Sequence, residues 1–557
     1  MKIAIAQLNY HIGNFEWNTQ KIISNILQAR ILGADLVVFS ELCITGYPAR
    51  DFLEYPGFIE NCEKAIEKIA QETHSIDCII GSPWKNYHKP GKDLINAAIY
   101  LSKGRIKHII PKTLLPTYDI FDEYRYFEPG INENCIELGG IKIALTICED
   151  LWNTVNGQYK SSPMEALALK SPDLMINIAA SPFQYAQAEE RMKVLRANVK
   201  EYSIPLIYVN HIGAQTEILF DGGSMALDGS GNLIQEPQYF EESLEILDWE
   251  DLKKKEEENP LIDSLELKSP QEIFKNPLYL ERIHKALVLG IQDFFSKSHF
   301  KKAVIGLSGG IDSALVTVLA VEALGPENVL AIMMPSEFSS DHSISDSLDL
   351  ARNLGIEIQK IPIGPLFNEF QKSLSPIFGD LPFSLAEENI QSRTRAVFLM
   401  GISNKLGHIL LNTSNKSECA VGYGTLYGDM CGAISVIGDL YKTQVFALCH
   451  YLNHLENRIP ASILKKAPSA ELRPNQKDSD SLPDYAILDQ ILFGYIEERK
   501  DYQELIESGF EISLVQKTLS LVNRAEFKRY QSPPILRVSP KAFGMGRRMP
   551  IVGKYDY

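Results

Sequence analysis

The chain has 557 residues, 45% of them hydrophobic and 23% charged, which is the make-up of a core-forming protein too long for one ordinary domain. The 55 Lys and Arg against 71 Asp and Glu leave a formal net charge of −16. That excludes a basic coat for nucleic acid or anionic lipid and leaves room only for a local basic pocket, so no nucleic-acid or membrane partner is expected.

Met1 to Tyr10 carries one Lys and a short apolar alternation, which reads as a first β-strand rather than a signal peptide. Its start, Lys2-Ile-Ala-Ile-Ala-Gln-Leu, has an echo in Lys142-Ile-Ala-Leu-Thr-Ile-Cys148, and Asp35-Leu-Val-Val-Phe-Ser has one in Asp173-Leu-Met-Ile-Asn-Ile. The Lys-to-Asp spacings are 33 and 31 residues, with helix-compatible stretches between. Two β-α-β units built alike predict a pseudo-symmetric layered domain. The plainer alternative is that any buried strands share Ile, Val and Leu.

Three residues of distinct chemistry stand at expected strand ends: Glu41, Lys112 and Cys148. Acyl transfer needs a thiolate, a base that takes and returns its proton, and a cation beside the developing oxyanion, and this set supplies them without histidine. Taken singly, a buried Cys is more often an inert small hydrophobe and a lone Glu or Lys a surface charge. The eight cysteines contain no C-x-x-C pair, so no disulfide framework or structural zinc is expected and the compartment is read as reducing and cytoplasmic.

The acidic and then mixed-charge stretch from Glu241 to Glu258 reads as a surface connector or an exposed helix between domains. The expected partition is a first domain over 1–245, a linker over 246–275 and a second domain over 276–557. Past it, strand and helix patterns alternate through residue 363, which predicts a parallel α/β sheet covered on both faces, with ligands beyond the carboxyl ends of its strands. The apolar run from Ala303 to Leu324 holds Asp312 and three glycines, so it does not span a membrane. Gly306, Leu307, Ser308, Gly309, Gly310, Ile311, Asp312 and Ser313 lie between a buried strand and a helix. Unpaired N–H groups and the helix dipole there favour a phosphate, although such a turn is often purely structural.

Ser308-Gly-Gly-Ile-Asp-Ser313 resembles the pyrophosphate loop of the N-type ATP pyrophosphatases. The run Leu411-Asn-Thr-Ser-Asn-Lys-Ser-Glu418, with Gly422-Tyr-Gly-Thr-Leu-Tyr-Gly-Asp429 and Lys442 after it, resembles the NAD synthetase signature. By that resemblance the loop, Thr413 and Lys442 bind ATP, and Asp312 and Glu418 hold Mg²⁺. Asn389, Glu418 and Lys528 meet deamido-NAD, the last two in the blocks ending at Glu418 and running from Glu526 to Gln531. Phe39-Ser-Glu-Leu, the run from Lys112 to Phe127 and Thr146-Ile-Cys-Glu-Asp150 are similar to the nitrilase superfamily, and within it to the glutamine amidotransferase domain of NAD synthetases. The resemblance makes Glu41 the proton acceptor, Lys112 the oxyanion stabiliser, Cys148 the nucleophile, and Tyr118, Ser181 and Gln187 the glutamine contacts, with Glu123 supporting Lys112. Gln187 stands where that family usually has a basic residue.

Together the segments are similar, over nearly the whole chain, to the glutamine-dependent NAD synthetases. This implies a ligase with a nitrilase-like α-β-β-α sandwich followed by a Rossmann-like parallel sheet with helices on both faces. It would use glutamine or ammonia, ATP, deamido-NAD and Mg²⁺, and would be a homo-oligomer with an enclosed route for ammonia. Competing readings are a glutaminase coupled to amidation of another adenylated carboxylate, and a nucleotide-binding sensor. The tail from Phe543 to Pro550 also resembles that family's, with no role legible in it.

Overall fold

The first alternation forms β1 (Lys2–Gln7), which pairs parallel with β2 (Leu36–Val38), itself parallel to β3 (Asp77–Lys85). β4 (Leu94–Ser102) and β5 (Arg105–Pro111) continue that sheet antiparallel. The second sheet repeats the plan. β6 (Ile136–Leu138) lies antiparallel on β7 (Ile141–Ile147), which is followed in parallel by β8 (Leu174–Ile178) and β9 (Leu206–Val209). A hairpin of β10 (Ile212–Gln215) and β11 (Ile218–Asp221) leads to β12 (Met225–Leu227) and β13 (Leu233–Gln235), which add antiparallel to β9. β14 (Ser243–Asp248) returns to lie antiparallel on β1, giving the orders β14-β1-β2-β3-β4-β5 and β13-β12-β9-β8-β7-β6.

The computed structural model describes residues 1–87, 90–132, 134–253, 270–474 and 476–555, and the chain forms two units, Met1–Glu266 and Leu267–Tyr557. In the first, the period-two alternation of the strands separates two cores. Ile3, Ile5, Leu36 and Val38 pack between the sheets against Ile143, Leu145, Ile147 and Ile176. Ala4, Ala6, Val37 and Phe39, on the opposite face, meet Ile22, Ile26, Cys62 and Ile66 of the helices Phe15–Ile31 and Pro56–Ala70. The second sheet is covered by the helices Pro163–Ala168 and Gln187–Tyr202, completing an α-β-β-α sandwich.

The internal echo is structural. Asp35 Oδ2 accepts from the backbone N–H of Lys2 at 2.8 Å, and Asp173 Oδ2 accepts from that of Lys142 at 2.8 Å, so the same link closes each β-α-β unit. The expected boundary at 245 needs correction, because it cuts β14. A sheet edge pairs through backbone N–H and C=O groups, and the acidic side chains of this stretch do not prevent that. Residues 254–269 of the expected linker lie outside the described residues, and 270–275 form a helix.

In the second unit β15 (Ala303–Gly306), β16 (Val329–Met333), β17 (Glu357–Lys360), β18 (Ile409–Asn412) and β19 (Ile434–Ser435) make a parallel sheet in the order β17-β16-β15-β18-β19. Val304, Leu330, Ile332 and Leu410 pack with Leu399 of the helix Leu385–Leu406 on one face, while the buried helix Ile311–Leu324 packs on β15 and β16. The chain reverses its direction across the sheet between β15 and β18, which opens a crevice beyond their carboxyl ends. Among the described residues no helix is long and apolar enough to cross a membrane.

Candidate active sites

In the first unit Glu41 follows β2, and Lys112 follows β5. Close approach of β3 makes the Glu41 turn possible, since a Cβ on Gly81 would lie 2.6 Å from the Glu41 Cα. Lys112 Nζ is 2.7 Å from Glu41 Oε1 and 2.9 Å from both carboxylate oxygens of Glu123, all three residues being buried. Asn96 Nδ2 donates to Glu41 Oε1 at 2.7 Å and to Glu123 Oε2 at 3.3 Å. The backbone N–H of Ala180 donates to Glu41 Oε2 at 2.9 Å. Two carboxylates thus share one buried ammonium. Burial pushes the Glu123 carboxyl up to about 7 against the pull of Lys112. The Lys112 ammonium, despite burial, is held well above its ordinary value by Glu123 and Glu41.

Cys148 directly follows β7 and opens the short turn Cys148–Leu151 with φ +43°, a left-handed conformation that costs a residue with a Cβ roughly 1–3 kcal/mol. Asp150 holds that turn, accepting from the backbone N–H groups of Ile147, Thr113 and Leu114 at 3.0, 3.1 and 2.9 Å. It therefore ties the cysteine turn to the segment directly after Lys112. Burial and then the Glu41 charge push the Cys148 thiol well up, with Lys112 opposing them. The resting sulfur is a neutral thiol, so attack requires a base.

Tyr118 Oη donates to the Glu149 carboxylate at 3.0 and 3.1 Å, and Tyr159 Oη donates to it at 3.1 Å. Gln187 opens the helix Gln187–Tyr202, and its Nε2 donates to Ser181 Oγ at 3.3 Å. The fold thus joins Ser181 to Gln187 and sets Tyr118 on Glu149. Sequence reasoning missed Glu149, Asn96 and Asp150. Adjacency to Cys148 was the one signal for Glu149, whereas Asn96 sits mid-strand with none.

In the second unit the turn after β15 closes on itself. Ser313 Oγ lies 3.1 Å from Ser308 Oγ and donates to the Gly310 carbonyl at 3.0 Å. Gly309 has φ +75°, and a Cβ there would lie 2.3 Å from the Ser343 carbonyl oxygen, so only glycine fits. Gly306, Leu307, Ser308, Gly310, Ile311, Asp312 and Ser313 line a cleft of about 290 Å³ together with Thr413, Glu418 and Lys442. Lys442 Nζ is 2.5 Å from Asp312 Oδ2 and 3.4 Å from Glu418 Oε1, and Asn415 Nδ2 donates to Asp312 Oδ1 at 2.9 Å. Burial pushes the Glu418 carboxyl up to about 8, with Lys442 opposing and Asp312 and Asp478 adding to it.

Among the described residues no group of three or more His, Cys, Asp or Glu is arranged to hold a metal ion. Asp312 and Glu418 instead flank one ammonium, a pair of hard oxygen donors that suits a cation completing its shell with phosphate oxygens and water. Asn389 and Lys528 are not in the cleft wall. Asn389 Oδ1 accepts from Thr425 Oγ1 at 2.8 Å, and Lys528 Nζ donates to the carbonyls of Gly422 and Gly424 at 2.9 and 2.7 Å. Both therefore meet the turn that follows Glu418. Asp478, buried on the cleft wall and bonded by Tyr485 Oη at 3.0 Å, was not foreseen. Nothing local in the sequence marks it.

The carbon-nitrogen hydrolase family matches residues 2–250, and the NAD synthase family matches residues 283–532. The chain is 46% identical over 557 residues to the glutamine-dependent NAD(+) synthetase of Synechocystis sp., covering 99% of this chain and 98% of that one. It is 39% identical over 580 residues to the glutamine-dependent NAD(+) synthetase of Aquifex aeolicus, covering 100% of both. Among solved structures, the glutamine-dependent NAD+ synthetase of Acinetobacter baumannii in complex with ADP is similar at 35% identity. That likeness has a TM-score of 0.76 and covers 99% of this chain and 98% of that one.

Proposed function

This chain belongs to the glutamine-dependent NAD(+) synthetases, and from that premise we propose that the Cys148 site releases ammonia from glutamine and the Asp312 site consumes it. Glu41 removes the Cys148 proton and the thiolate attacks the amide carbon, while Lys112 faces the developing oxyanion. Glu41 returns the proton to the leaving nitrogen, ammonia departs and a thioester remains. Water, deprotonated by Glu41, then attacks the thioester, giving glutamate and restoring the thiol. The observation that carries this reading is the buried Glu41–Lys112–Glu123 group beside a thiol that burial keeps protonated. Buried ion pairs contribute little net stability, so such a group is better explained by chemistry.

Glutamine is held at its amino end by Glu149 with Tyr118, and at its carboxylate by Ser181 and Gln187. In the second unit the turn from Gly306 to Ser313, Thr413 and Lys442 bind ATP, while Asn389, Glu418 and Lys528 bind deamido-NAD. The deamido-NAD carboxylate displaces pyrophosphate from the α-phosphorus, and ammonia then displaces AMP to give NAD. Mg²⁺ held by Asp312 and Glu418, when bound, supplies positive charge to the phosphates. The protein works in the cytoplasm. The protein acts as a homo-oligomer, which the mass in solution checks; Ile377, Leu381, Phe383, Leu385, Val397 and Met400 are among its exposed apolar side chains.

The test of the amide half is intact-mass analysis after brief mixing with glutamine. An adduct of one glutamyl group should appear on the wild-type chain and be absent from Cys148→Ser. An adduct surviving in Cys148→Ser would place the nucleophile elsewhere.

A further inference from the structure

The segment from Pro534 to Arg547 has no part in the chemistry above, yet it reaches both ends of the six-residue helix Lys416–Val421, which carries Glu418. At the near end Lys416, fully buried, donates from Nζ to Ser539 Oγ at 2.7 Å and to the Lys541 carbonyl at 2.9 Å. It also lies 2.9 Å from Asp439 Oδ1, and Asp439 Oδ2 accepts from the backbone N–H groups of Val538 and Ser539 at 2.8 and 2.7 Å. At the far end Arg529 Nη1 donates to the carbonyls of Cys419 and Ala420 at 3.1 and 2.6 Å, where a cation complements the helix dipole.

Arg529 is itself held from the C-terminal side. Its Nη2 donates to Glu526 Oε2 at 2.6 Å, Arg547 Nη1 donates to the same oxygen at 2.9 Å, and the Phe543 ring lies under both guanidiniums at 4.8 and 5.8 Å. Two cations sharing one carboxylate and one ring form a joint that depends on its geometry. The residue before Arg529 is Lys528, bonded to the Gly422–Gly424 turn that ends the same helix. A Cβ on Gly422 would lie 2.6 Å from the Ala525 Cβ, so the two pieces of chain are in close contact.

We propose that Arg547 and Phe543 act through Glu526 and Arg529 as positioning residues for deamido-NAD, fixing where Lys528 stands. This rests on the assignment of Lys528 to that substrate. The hydrogen bonds of the joint end on Glu526, Val522, Cys419 and Ala420 rather than on Ser308, Thr413 or Lys442. Arg547→Ala should therefore raise the KM for deamido-NAD at least about fivefold in the ammonium-driven reaction. Glutamine hydrolysis should be unchanged and the KM for ATP should move less than about twofold. Arg547→Lys, which keeps the charge but not the fork, should recover only part of the loss.

Impairment of all three readouts alike, with both KM values raised and glutamine hydrolysis reduced, would make the segment merely structural and overturn the proposal, as would an unchanged KM for deamido-NAD. If Arg547→Ala does not fold, Phe543→Leu should give the same selective rise, and its absence overturns the proposal equally. Lys528→Ala separates the two layers, because a normal deamido-NAD KM there would refute the substrate assignment itself.

Discussion

Lys112 has no exposed surface and two carboxylates within 2.9 Å, so the protonation of Glu123 governs the charge balance around it. Burial raises this carboxyl from 4.5 to about 7, so the folded state binds its proton more tightly than the unfolded chain does. Its contribution to stability is fully present below 4.5 and is lost as the pH rises through about 7. Glu123→Gln removes that dependence, so the stability difference between wild type and variant should change across that window and stay flat outside it. Urea unfolding at a series of pH values reads this directly, and an unchanged difference from pH 4 to 8 would contradict it. Gln187 gives a second prediction at this scale. Where glutamine's carboxylate lies against Ser181, as proposed, the neutral Gln187 amide gives it no added cation. Gln187→Arg should lower the KM for glutamine roughly tenfold, the size of exchanging a neutral for a charge-assisted hydrogen bond. Steady-state kinetics with a fixed ammonium-driven rate as control check it. Glu41 and Lys112, which the fold brings to 2.7 Å, were picked out with Cys148 by the resemblance of their segments, since each residue alone is ordinary. Glu149 was not, since an acidic residue beside a strand end is ordinarily a solvated charge and only the fold buries it under two tyrosines.

At the scale of elements the sequence was most informative where pattern is local. The turn after β15 and the duplicated Lys-to-Asp spacing both read correctly, because a glycine turn and a strand alternation are each set within about ten residues. β14 was misread as connector because its partner, β1, lies more than 230 residues away and its acidic side chains mask a backbone that pairs at Lys2 to Gln7. The Pro534 to Arg547 segment was silent for the same reason, its contacts being with residues a hundred positions earlier. The turn itself yields a prediction. Gly309→Ala forces φ +75° on a residue with a Cβ and drives that atom to 2.3 Å from the Ser343 carbonyl. NAD formation should fall at least about 100-fold with either nitrogen source, while glutamine hydrolysis remains at the wild-type level. An adenylation rate within twofold of wild type would show that the turn does not hold the phosphates.

For the whole molecule, the proposed reading gives the two units separate chemistry linked by ammonia. The sandwich positions an acid-base pair and a thiol by two sheets built on one plan. The parallel sheet positions the glycine turn at the point where its strand order reverses. If that division holds, removing the nucleophile of one unit leaves the other competent. The decisive measurement is NAD formation from deamido-NAD, ATP and Mg²⁺ by the wild type and by Cys148→Ala, with glutamine or ammonium as the nitrogen source. Cys148→Ala should lose the glutamine-driven reaction and keep the ammonium-driven one near the wild-type rate. Loss of both, in a variant that melts like the wild type, would contradict it.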